Sequence, residues 1–267
     1  MSTEYNPLPP DSTEPSPALA APPVRVPVEN PPWSLWDVLA IALIAFGAIS
    51  ICGLIGGLIA MRVYHLAPAA IERNARLAIP IELFAYVVTL AFMALLVRSR
   101  RLPFWRTVGW RWTGHIFRYA LVGFGLALVI GFLSDHLPIP KQLPIEKYFA
   151  DTTAAWMIAI FGITLAPLME ELFFRGFLYP ALARSLGMYW AILITSVAFA
   201  LIHSPQLATA WVPLLLILVI GIVLTTLRAR TKSLLPGFIV HVAYNFTLFL
   251  AFFQQTHGFH NFDKSAG

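Results

Sequence analysis

APLMEELFFRGFLYPAL, residues 166–182, sets two adjacent carboxylates, Glu170 and Glu171, in a run otherwise made of Leu, Phe, Met, Ala, Gly, Tyr and Pro, with Arg175 as the next charge. Its surroundings explain the setting. Of 267 residues, 58% are hydrophobic and only 12% charged, whereas a soluble domain carries about a quarter charged residues. A transmembrane helix needs roughly 20 mostly apolar residues. Runs of that kind lie at about 36–61, 78–97, 117–133, 153–184, 188–203, 211–227 and 234–253. The expected fold is therefore all-α: a polytopic membrane helix bundle of about seven transmembrane helices, within six to eight. The quoted stretch belongs to the fourth run, so its charges lie at membrane depth.

The chain divides by composition. Residues 1–33 are Pro-rich and read as a disordered cytosolic tail. Residues 34–150 hold the N-terminal helices, 151–253 the region with most of the intramembrane polar groups, and 254–267 a polar C-terminal tail. The net charge of +5 is small, and the arginines cluster between apolar runs. That pattern sets topology and gives no reason to expect nucleic-acid binding. The most basic loop, RSRR at 98–101 with Arg106 and Arg111, is expected to be cytoplasmic, with 228–232 on the same side. The uncharged loop at 204–210 then falls outside, and the N-terminus is cytoplasmic. The aromatic, basic segment 98–118 suits lipid headgroups. The lone cysteine, Cys52, lies in an apolar run and reads as packing.

A charge at the centre of a spanning helix is unfavourable by about 2.5–3.5 kcal/mol on insertion scales, so intramembrane polar groups are functional candidates by default. The second half of the chain holds Glu170, Glu171, Arg175, His203, His241 and Asn245. Glu171 and Arg175 are i,i+4 and can pair on one helix face. Glu170 then points elsewhere, about 100° around the helix. His241 and Asn245 are again i,i+4. A turn near Ser185–Gly187 would fold the fourth and fifth runs antiparallel and bring Glu170 and His203 to matching height. Counting from the basic loop places His241 nearer the midplane than this match requires. Peptide hydrolysis needs an activated water, a proton donor for the leaving amine and donors to the oxyanion. A desolvated glutamate, two imidazoles and an amide meet those needs without a metal. Two His and one Glu can equally form a three-ligand zinc site with an open position.

Three motifs stand in order: Glu-Glu-x-x-x-Arg (Glu170, Glu171, Arg175), Phe-x-x-x-His (Phe199, His203) and His-x-x-x-Asn (His241, Asn245). Together they resemble the CAAX prenyl protease and bacteriocin-processing family of intramembrane endopeptidases, also called Abi or CPBP. The resemblance covers about 155–250. It implies a catalytic set of Glu170, His203, His241 and Asn245, in which Glu170 and His203 activate water and His241 and Asn245 bind the oxyanion or a metal. Glu171 and Arg175 support them. The family's mechanism is described both with a metal and as glutamate-driven, so the implied cofactor is either zinc, held by Glu170, His203 and His241, or none. The implied partner is a membrane-associated protein or peptide, of prenylated CAAX type or bacteriocin-like, met within the lipid bilayer.

Other readings attach to the same residues. A membrane proton or ion relay would use the same Glu and His groups, but has no need of His-x-x-x-Asn opposite Glu-Glu-x-x-x-Arg. A non-catalytic immunity or scaffold member of the family would not need every polar position filled. Outside the motifs, Glu82 reads as a boundary or helix-contact residue and Phe199 as packing. Gly176 reads as a site of close helix approach, Pro180 as a bend, and His257 and His260 as solvated.

Overall fold

The computed structural model describes residues 1–2, 29–72, 74–140, 144–207 and 210–262. The expected N-terminal tail falls mostly outside the described residues, as do the last five residues of the C-terminal tail. Seven helices are long and apolar enough to cross a membrane: Leu35–Val63, Ala75–Arg98, Ile116–His136, Thr152–Leu186, Met188–Gln206, Trp211–Thr231 and Leu235–Gln255. They agree in number and order with the seven apolar runs, and the chain is a multi-pass membrane bundle.

Local chemistry sets the helix ends. Ser34 caps the first span through a reciprocal box: its Oγ accepts from the Asp37 N–H at 3.3 Å, and Asp37 Oδ2 accepts from the Ser34 N–H at 2.7 Å. Arg100 donates to the same Asp37 oxygen at 2.9 Å, so the loop after the second span is tied to the start of the first. Gly187, at φ +78, ends the fourth span and opens the antiparallel return. Large apolar side chains such as Leu43, Phe46 and Leu54 are exposed along the first span. In a spanning helix this is the lipid-facing surface.

Small residues let the inner helices approach, the usual device where lipid removes the hydrophobic drive between helices. A β-carbon on Gly123 would collide with the Val240 carbonyl oxygen, so the third span lies directly on the backbone of the seventh. One on Gly221 would stand 3.2 Å from Ser196, which packs the sixth span on the fifth. Gly176 has no comparable role, because its β-carbon would meet Leu234 at an ordinary 3.5 Å. The close approach is instead made by Gly237, where a β-carbon would stand 2.9 Å from Glu171 Oε2.

Both chain ends reach further into the structure than a tail reading allows. Trp33 is buried and donates its indole N–H to the Phe177 carbonyl at 3.0 Å. Arg184 donates to the Pro31 carbonyl at 3.0 Å. Glu29 pairs with Arg228 at 2.9 Å and Lys232 at 3.3 Å. Residues 29–33 are therefore corrected from tail to packed segment. At the other end Phe259 is buried against Ala155 and Ala159, while His257 and His260 are exposed.

The Glu29 carboxyl gives a pH test. Burial pushes its pKa up, but Arg228 and Lys232 outweigh burial and hold it below the ordinary 4.5. A depressed acid contributes stability that is complete above the unfolded value and lost as pH falls through the folded one. Glu29→Gln should lower the melting temperature of the detergent-solubilised protein at pH 7. That deficit should close as pH is lowered from 4.5. An equal deficit at acid pH would show that the carboxylate charge is not what holds the segment.

Candidate active site

The fourth span is not one regular helix. It is α-helical over Thr152–Ile163, bends at Thr164 (φ −116, ψ −71), and resumes as a short helix over Leu165–Glu170. It then widens to a π-helix over Glu171–Leu178 before α-helical Tyr179–Leu186. The Tyr179 N–H bonds the Phe174 carbonyl, five residues back, as this winding requires. The next donor would be Pro180, which has no N–H. Its would-be acceptor, the Arg175 carbonyl, is taken by Arg228 Nε from the sixth span at 3.1 Å. Pro180 thus hands a backbone acceptor to a neighbouring helix.

The π-helix carries the ion pair that the i,i+4 spacing predicts. Arg175 Nη1 donates to Glu171 Oε1 at 2.9 Å, with both side chains fully buried. Arg175 also donates through Nε to Thr225 Oγ1 and through Nη2 to the Gly221 carbonyl, both at 3.2 Å. Its guanidinium lies 4.3 Å from the centroid of the Phe199 ring. Phe199 therefore does more than fill space, since its ring also neighbours His203 at 5.0 Å and His241 at 5.8 Å.

Both imidazoles are oriented by their Nδ1 atoms. His203 Nδ1 lies 2.8 Å from the Phe199 carbonyl. A carbonyl only accepts, so Nδ1 carries the proton and Nε2 keeps its lone pair in the neutral ring. His241 Nδ1 lies 3.1 Å from Glu171 Oε1. That oxygen already accepts from Arg175 as a carboxylate, so here too Nδ1 donates. His241 Nε2 is then directed to Glu170 Oε2, 3.7 Å away. The depth mismatch for His241 disappears because the seventh span starts deep: Leu234 already packs beside Gly176. Less than two turns later, His241 is level with the glutamates.

Glu170, His203, His241 and Asn245 line one chamber of about 620 Å³. Asn245 is fixed there by a bond from its amide to the Gly162 carbonyl at 2.7 Å, at the bend of the fourth span. Glu171 stays outside the lining, buried behind His241. Among the lining residues that no motif marks are Glu82 and Tyr86 of the second span. Tyr86 donates to Glu82 Oε1 at 3.1 Å and stacks on Phe161 with ring centroids 5.4 Å apart. Glu82 is thus a carboxylate that lines the same chamber as Glu170, and the boundary reading of it is corrected. An acid in a run of Ile, Leu, Phe and Ala was the one sequence signal for it.

A zinc site would need Glu170, His203 and His241 to converge on one ion. Among the described residues no three His, Cys, Asp or Glu side chains stand close enough to hold a metal ion together. The donors as arranged do not fit a three-ligand site, so no step below runs through a metal.

Residues 152–247 match the family model of the type II CAAX prenyl endopeptidases, Rce1-like. The match spans all three motifs, and the resemblance drawn from them stands. The family is one of CAAX-type membrane endopeptidases, and the matched segment runs from the start of the fourth span into the seventh. No curated protein and no solved structure matches the chain.

The buried pair can be tested apart from any activity. Arg175→Met leaves Glu171 as an uncompensated buried charge and should destabilise the protein by about 3–5 kcal/mol. Adding Glu171→Gln to that variant should recover part of the loss, since the orphaned charge is then gone. Denaturation of the four proteins in mixed micelles measures this. A double variant as unstable as the sum of the singles would remove the coupling.

Proposed function

We propose that the chain is a membrane endopeptidase that hydrolyses a peptide bond in a membrane-associated protein or peptide, using water activated by Glu170. The observation that carries this reading is the Glu170–His241 contact of 3.7 Å inside a chamber shared with His203 and Asn245. Chamber residues Phe149, Phe161, Phe249 and Phe252 offer an apolar wall suited to a lipidated or otherwise apolar C-terminal segment. That fits the CAAX-type substrate the family suggests. The basic loops are assigned to the cytoplasmic side, together with the N-terminus.

In this mechanism Glu170 takes a proton from a water held between it and His203 Nε2. The hydroxide oxygen bonds the scissile carbonyl carbon, and the C=O π pair moves onto oxygen. Asn245 donates to that oxyanion. His241, held by its Nδ1 on Glu171 Oε1 at 3.1 Å, turns its Nε2 toward Glu170 in the same chamber. The intermediate collapses by breaking the C–N bond, and Glu170 returns its proton to the departing amine. Arg175 holds Glu171 in place throughout.

Removing a positioned acid–base group typically lowers the rate by about 10²–10⁴-fold. Glu170→Gln and His203→Ala should each lose activity on that scale against a farnesylated C-terminal peptide, with the melting temperature close to wild type. Retained cleavage in the Glu170→Gln protein would overturn the assignment. The metal question has its own readout. Cleavage should persist in excess chelator; loss on chelation with recovery on added zinc would move Glu170, His203 and His241 into a ligand set.

A further inference from the structure

A second recess, of about 590 Å³, opens at the end of the bundle where the first and seventh spans begin and the second and sixth end. Its charged lining is one-sided: Arg106, Arg111, Arg228 and Lys232 face one carboxylate, Glu29. It shares no lining residue with the catalytic chamber. Arg228 is the buried anchor, its side chain 5% exposed, with Nε on the Arg175 carbonyl and Nη1 on Glu29 Oε1 at 2.9 Å. Glu29 therefore shows what the recess accepts: an oxyanion seated against Arg228, with Lys232 at 3.3 Å. Among the described residues, Glu29 is the one carboxylate in the lining, and it is taken by Arg228 and Lys232. Arg106 and Arg111 are exposed and have no acidic partner among the described residues.

We propose that this recess is a binding site for a phosphate group, separate from the peptidase site. A phosphate carries more charge than Glu29 and offers several acceptor oxygens to arginine forks, so it can bridge Arg106, Arg111 and Arg228 beside the resident carboxylate. The surroundings favour a phosphate carried by an anionic lipid. Trp36, Trp105 and Trp112 are exposed around the same end, at 79%, 47% and 72%. Exposed tryptophans gather at headgroup level, and basic pockets between spanning helices suit anionic headgroups. The site also reaches the catalytic core by one side chain. Arg228, which would touch the phosphate, supplies the donor that replaces the missing Pro180 N–H in the π-helix.

The test uses the full chain in a neutral detergent, read by melting temperature and by native mass spectrometry of bound lipid. Phosphatidylglycerol should raise the melting temperature saturably, while phosphatidylcholine does not. Arg106→Gln/Arg111→Gln should weaken that binding by about tenfold or more, given the strength of single cation–headgroup contacts. Both side chains are exposed, so the variant is expected to fold. Arg98→Gln/Arg230→Gln removes the same charge from exposed positions outside the recess and should leave binding unchanged. Inorganic phosphate is titrated separately. A saturable shift with it that the Arg106/Arg111 variant removes, and none with the lipid, would keep the site and assign it to a soluble phosphate. Equal responses to the two lipids, an equal loss in the Arg98/Arg230 control, or no response to either probe would overturn the proposal.

Discussion

The Glu171–Arg175 ion pair is the constraint around which the rest is arranged. Both side chains are fully buried at membrane depth, where an ion pair gains little over apolar residues of equal volume. Its value lies in what it connects. Arg175 reaches Thr225 and Gly221 of the sixth span and lies over Phe199 of the fifth. Glu171 reaches His241 of the seventh. One pair on the fourth span thus ties together three other helices that line the chamber. Removing either partner leaves a charge with nowhere to go, which is a stronger restraint on geometry than apolar packing provides.

The π-helix makes this arrangement fit. Widening the backbone over eight residues moves carbonyls out of register, and two of them are claimed from elsewhere in the chain. The Arg175 carbonyl accepts from Arg228 and the Phe177 carbonyl from Trp33. Irregular backbone at membrane depth persists only where other protein groups satisfy it. The segment before the first span and the end of the sixth are therefore structural parts of the site, although neither touches the chamber.

Much of this is visible in the residues before any coordinates. Hydropathy alone marks the seven spans, because lipid demands long apolar runs whatever the packing. The i,i+4 spacing of Glu171 and Arg175 announces their pairing, and Gly187 the turn that folds the fourth span against the fifth. What is hidden depends on distant contacts. Trp33 and Glu29 look like a Pro-rich tail until their partners, 144 and 199 residues away, are known. Glu82 belongs to no motif, and only the packing of the second span against the fourth places it in the chamber. Gly176 and Gly237 look equally permissive in sequence; the carboxylate that requires a glycine opposite it lies at Gly237.

Glu170 and Glu171 show how one dipeptide yields two chemically distinct groups. Adjacent carboxylates in a low-dielectric interior cannot both remain charged without compensation. Arg175 provides it for Glu171, and the bond from His241 to that same oxygen fixes the proton on Nδ1. The other ring nitrogen then faces Glu170, whose side chain is the partly exposed member of the pair at 17%. The buried glutamate orients the histidine, and the histidine meets the chamber glutamate. Turning the helix by one residue to bring Glu170 to the Glu171 position would set Phe174, not Arg175, one turn away and leave a charge sealed behind Gly237. The consecutive placement is therefore a division of labour that depends on the helix register, and the register depends on Arg175.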